Sequence, residues 1–136
     1  MPLKRAVGRA IRKSCIAREE IFLVTKLFPN TYKTASAQID KTLKMLQVDY
    51  LDLLLLHQPY GKVENAWKAC ENAVDSGKVK AIGVCNFTEK DMDKLLDYAK
   101  YDIKLEAWYP LGHGDTGLLN EAVFDRLSKK YNKSKV

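Results

Sequence analysis

Short β-rich runs alternate with helical periods along almost the whole sequence, and this alternation restricts the fold more than any single motif. The runs are IFLVT (Ile21 to Thr25), LDLLLL (Leu51 to Leu56), VKAIGV (Val79 to Val84) and KLEAW (Lys104 to Trp108). Between the first and second, Ala35, Ile39, Thr42, Leu43 and Leu46 share one helical face. Between the second and third, Val63, Ala66, Trp67, Cys70 and Val74 do the same, and Gly77 follows as a helix stop. A third helix opens on Thr88-Glu-Lys-Asp91, a capping-box variant, and turns Met92, Leu95, Leu96 and Ala99 inward. A last one starts near Asn120 and carries Val123, Phe124, Leu127 and Tyr131. Strands that are apolar on both faces, separated by helices, predict a parallel sheet covered by helices, so the fold class is α/β. The glycine-rich stretch 112–117 reads as a loop, and no linker interrupts the chain, which predicts a single domain over residues 1–136.

Composition narrows the function classes. With 46% hydrophobic and 29% charged residues the chain has enough apolar content for a core. Its longest apolar run, Leu53 to Leu56, is far short of the ~20 residues that span a bilayer, so no membrane role is expected. The first 17 residues are basic and lack acids before Glu19, as a mitochondrial presequence does. Ala6, Val7, Ala10 and Ile11 nevertheless repeat at helical spacing, and the segment reads as part of the fold. Three cysteines, Cys15, Cys70 and Cys85, with no CxxC spacing argue against a disulfide framework or a zinc site and favour a reducing cytoplasm. The net charge of +6 admits an anionic partner, but the lysines are scattered and no basic run is interleaved with stacking aromatics, so nucleic acid is not expected.

In parallel α/β folds functional side chains gather at the carboxyl ends of the strands, because those ends open onto one face. Here the runs lead into Thr25-Lys26, His57, Cys85-Asn86 and Trp108-Tyr109-Pro110. Each has an ordinary structural reading: a solvated lysine, a satisfied histidine, turn chemistry at Asn86, a core tryptophan. Together they put an amine, an imidazole, a carboxamide and a stacking ring on one rim, which structure alone does not require.

These stretches resemble the aldo-keto reductases. VDYLDLLLLHQP (48–59) is similar to the family's strand ending in its active-site histidine, and IFLVTKL (21–27) to the strand ending in its catalytic lysine. AIGVCNF (81–87) resembles its Gly-Val-Ser-Asn-Phe segment, EAWYPLGHGDTGLL (106–119) its loop over the cofactor pyrophosphate, and AVGRAIRKS (6–14) its second helix. The resemblance implies a (β/α)8 barrel of TIM type that binds NADPH in extended form and reduces aldehydes and ketones. It implies that Lys26 tunes the acid and His57 orients and polarises the substrate carbonyl. Cys85 and Asn86 would contact the nicotinamide carboxamide, Trp108 would stack on its ring, and Pro110, Leu111, Gly112 and Leu118 would line the pyrophosphate loop. No metal is implied. Hydride arriving at a carbonyl carbon generates an alkoxide, so donors and a cation must stabilise negative charge while an acid delivers a proton.

The match also has gaps. The family's acid is a tyrosine held near an aspartate, and neither has a counterpart here; Tyr32, Tyr50, Tyr60 and Tyr109 occupy other motif positions. Between Lys100 and Tyr101 a strand bearing an Asn-Gln pair, with its helix, is missing, and the motif that reads the 2′-phosphate has no match, so NADPH over NADH is inherited from the resemblance. A barrel of this type typically needs about 250 residues. The 136 present predict half to two thirds of one, with open sheet edges that favour self-association. The expectation is therefore a shortened reductase with at most trace activity. The alternatives are a non-catalytic half-barrel acting as an interaction module, and an unrelated phosphate-binding α/β enzyme.

Overall fold

The structure, a computed structural model, describes residues 2–100 and 122–132. The chain divides into two units, Met1–Ile103 and Lys104–Val136. The first contains α1 (Pro2–Lys13), a 3-10 turn (Arg18–Glu20), β1 (Val24–Leu27), a second 3-10 segment (Pro29–Thr34), α2 (Ala35–Leu46), β2 (Leu51–Leu56), α3 (Val63–Asp75), β3 (Val79–Val84) and α4 (Glu89–Leu96). In the second unit the described element is α5 (Ala122–Tyr131). The expected strand over 104–108 lies outside the described residues.

The sheet is parallel, in the order β1-β2-β3. The most apolar run, LDLLLL, takes the middle position, where a strand is covered on both sides and gives up least to water. Its alternation is visible in burial: Leu54 and Leu56 are closed off beneath the helices, while Leu53 and Leu55 are partly exposed. Leu27, Leu54 and Leu56 meet Ile39, Leu43 and Leu46 of α2, Trp67 and Cys70 of α3, and Leu95 of α4 in one core. On β3, Gly83 stands opposite Leu55, and a Cβ there would come within 2.9 Å of the Leu55 Cδ2. The glycine makes room for that leucine.

Helix boundaries follow local chemistry. Thr88 and Asp91 form a reciprocal capping box at the start of α4, as their spacing predicts. Gly77, at φ +73°, sends its N–H back to the Val74 carbonyl and ends α3. The basic opening segment forms α1, with Val7 and Ile11 packed on the core and Gly8 so close to the Leu46 backbone that a Cβ would meet its carbonyl oxygen.

Two expectations need correction. The first strand is not Ile21–Thr25 but Val24–Leu27. The Leu23 N–H is taken by the Asp52 carboxylate rather than by a strand neighbour, and the Leu23 carbonyl accepts from both Asp52 and Leu53, so regular pairing begins one residue later. Leu96, expected inward, is 57% exposed, because α4 ends there and Tyr98 and Ala99 pack against the core instead.

Candidate active site

Register places the rim. Lys26 lies opposite Leu55 and Leu27 opposite Leu56, so Lys26 sits on the same sheet face as Leu53, Leu55 and, one step on, His57. Leu56 is opposite Val84, which carries Cys85 to the level of His57. The ladder runs past the strand ends: the His57 N–H donates to the Leu27 carbonyl at 2.9 Å and the Cys85 N–H to the Leu56 carbonyl at 2.8 Å. Lys26, His57, Cys85 and Asn86 are thus brought to the carboxyl ends of three adjacent parallel strands, Lys26 within β1 rather than after it. Trp108, Pro110, Leu111, Gly112 and Leu118 lie outside the described residues.

Each rim residue is fixed differently. Asn86, at φ +59°, adopts the left-handed conformation that asparagine tolerates better than most residues. Its Nδ2 donates to the His57 carbonyl at 2.8 Å and approaches the Cys85 Sγ at 3.3 Å, tying the end of β3 to the end of β2. Both amide hydrogens are committed, which leaves Oδ1 as the accepting atom for a ligand. The His57 ring stacks obliquely on Phe28, centroids 4.6 Å apart. Among the described residues neither the His57 imidazole nor the Lys26 ammonium has a hydrogen bond or an ion pair, and both are partly exposed. They can serve an incoming oxygen.

Tyr32 supports the site from beneath, and the sequence does not mark it for that part. It is fully buried, donates from its hydroxyl to the Gln58 carbonyl at 2.8 Å and accepts from the Gln58 N–H at 3.2 Å. Burial raises its pKa above the usual tyrosine value, against the lowering effect of its bonds to the Gln58 and His57 backbone. It clamps the turn that follows His57, and Asn65 Nδ2 holds the Tyr32 carbonyl at 2.8 Å in turn. Its only sequence signal is position, in PNTYKT directly after the lysine strand.

The cysteines differ in environment. Cys70 is buried, and burial reinforced by Glu71 pushes its thiol up to about 12, which leaves it inert. Cys85 is partly exposed on the rim. Among the described residues no group of three His, Cys, Asp or Glu side chains is placed to hold a metal ion, and no helix is long and apolar enough to cross a membrane.

The helix-covered parallel sheet, with polar side chains at one end, superposes on solved barrels and is a partial barrel of the TIM type. The chain belongs to the aldo/keto reductase family, whose model matches residues 3–116. It is 36% identical to the glyoxal reductase of Bacillus subtilis over 96% of its own length and 57% of that protein's. It is 32% identical to the methylglyoxal reductase DkgA of Salmonella typhimurium, covering 58% of it. Among solved structures, MGS-M4, an aldo-keto reductase from a Medee basin deep-sea metagenome library, superposes with a TM-score of 0.75 at 32% identity, over 98% of this chain and 60% of that one. The aldo/keto reductase from Brucella melitensis gives 0.74 at 31% identity. The chain therefore spans a little under three fifths of the length of these curated relatives. The alignments run over 159 positions, more than the 136 residues available, so the relatives carry positions with no counterpart here.

Proposed function

We propose that this chain carries the carbonyl-polarising part of an NADPH-dependent reductase acting on small aldehydes and ketones, with glyoxal-type dicarbonyls as the substrate class. The observation that supports this best is the pair of unspent groups, the Lys26 ammonium and the His57 imidazole, on one sheet face at adjacent strand ends. A carbonyl oxygen seated there accepts from His57 and lies near a cation, so the negative charge that develops on it is stabilised where water is partly excluded. The names of the two bacterial relatives, glyoxal and methylglyoxal reductase, point to small dicarbonyls.

The described residues fit the nicotinamide end of the cofactor. Asn86 Oδ1 remains free to accept a carboxamide N–H, with Cys85 beside it. The chemistry a nicotinamide held there would supply is hydride for the carbonyl carbon. Trp108 is proposed to stack on the ring, with Pro110, Leu111, Gly112 and Leu118 around the pyrophosphate. The proton must come from a positioned acid, and no tyrosine of this chain matches the family's acid, so turnover of the chain alone is set at a trace. Three free cysteines, one of them deeply buried, suit a reducing cytoplasm.

A second reading draws on the edge of β1. Phe22, Val24 and Phe28 are 70%, 44% and 45% exposed, and Val24 and Phe28, with Leu3, Val7 and Lys26, border an apolar groove. That surface favours a non-catalytic half-barrel that associates through its open edge. Titrating the chain with NADPH while following nicotinamide fluorescence separates the two. Saturable binding that Asn86→Ala weakens several-fold supports the reductase reading, and no binding supports the interaction module.

A further inference from the structure

Two helices of the first unit present exposed rows of opposite charge with the same spacing. On α1, Arg5, Arg9 and Lys13 recur every four residues, with Arg12 beside them, and the helix has no acidic residue. On α4, Glu89 and Asp93 recur at the same interval, and Asp97, the helical C-cap residue, continues the row. At 1.5 Å rise per residue both rows advance about 6 Å per charge along one face. None of these seven side chains makes an ion pair or a side-chain hydrogen bond among the described residues, although Asp91, Lys68, Lys78 and Lys100 nearby all do.

The rows cannot meet within one chain. α1 packs on α2, α2 on α3, and Lys100, four residues past the end of α4, donates its backbone N–H to Glu71 of α3, so the rows stand at opposite ends of the helical layer. We infer that α1 of one copy docks on α4 of a second copy through these rows, in head-to-tail self-association. Lys90 and Lys94 flank the acidic row, and with the two helices antiparallel the side of α1 that meets them carries Ala6 and Ala10, so they meet no cation there. Single exposed ion pairs are weak and are screened by salt, so the contact depends on the whole row and on ionic strength. The inference is independent of the reductase reading.

The test is the weight-average mass by analytical ultracentrifugation, in ~0.01 M salt, where charges act over ~30 Å, and in ~1 M salt, where they act over ~3 Å. The expected result is association in low salt that is lost in high salt. An α1 variant (Arg5→Glu, Arg9→Glu, Lys13→Glu) and an α4 variant (Glu89→Lys, Asp93→Lys, Asp97→Lys) should each stay at the mass of one chain. Mixing them in low salt should restore association, because each supplies the complement of the other; two misfolded variants would not do this. A wild-type chain of single mass in low salt overturns the inference, even if it binds a polyanion. So do association that persists in high salt, and variants that fail to recombine.

Discussion

At the scale of single residues the site is held by hydrogen bonds from groups that do no chemistry. Tyr32 fixes the turn after His57 and Asn86 fixes the carbonyl of His57 itself. Removing the Tyr32 hydroxyl strands the backbone of Gln58, and a lost buried hydrogen bond costs about 1–3 kcal/mol. Tyr32→Phe is therefore expected to lower stability by that amount in a urea melt, with Phe keeping the ring's packing. The strand-end residues Lys26, His57, Cys85 and Asn86 were legible in the sequence because a strand end is marked by where an apolar run stops. Tyr32 was not, since its role depends on a contact 26 residues away that no local pattern encodes. For the same reason Asn86 could be singled out, but not its bond to His57.

At the scale of elements, the second and third strands could be read to the residue and the helices by the face they bury, whereas the bounds of β1 could not. Its start depends on Asp52, which draws the Leu23 N–H out of the ladder and sits between Arg18 at 2.8 Å and Lys80 at 3.1 Å. Burial alone would raise the Asp52 pKa, but the Leu23 amide, Arg18 and Lys80 outweigh it and bring it to about 2. A carboxylate held lower in the folded than in the unfolded chain stabilises the fold above the unfolded value, and that stability drains away as pH falls toward the folded one. At ~1.4 kcal/mol per pKa unit, roughly 2 kcal/mol should disappear between about pH 4 and pH 2. Comparing acid melts of wild type and Asp52→Asn checks this: the variant should be destabilised at pH 7 and should lack that segment of the pH dependence.

Gly8 tests the packing of α1 on α2. Alanine would gain about 1 kcal/mol of helix propensity, but its Cβ would press on the Leu46 carbonyl, and overpacking against backbone typically costs 1–3 kcal/mol. The clash should win, so Gly8→Ala is expected to lower the melting temperature. Thr88→Ala, which removes the hydroxyl that caps α4, is expected to cost about 1 kcal/mol by denaturant unfolding.

At the scale of the whole molecule the partial barrel was foreseeable from chain length, because a closed (β/α)8 barrel needs far more residues than are present. The described sheet has three strands in register with both outer strands at its edge. The rim proposed to polarise a carbonyl is assembled from three consecutive strand ends, within a chain covering 57% of a relative. On that reading these strands supply no positioned acid. General acid catalysis is typically worth ~10²–10⁴-fold, and an ordinary turnover is about 10 s⁻¹, so the chain should turn over at no more than roughly 0.1 s⁻¹.

The most direct measurement is the loss of NADPH absorbance with glyoxal as substrate, run for the wild-type chain beside His57→Ala and Lys26→Met. The expected result is a trace rate in the wild type that falls further in both variants, as it must if the two side chains polarise the carbonyl without a positioned acid. An ordinary enzymatic rate, or a trace unchanged by both substitutions, would contradict it.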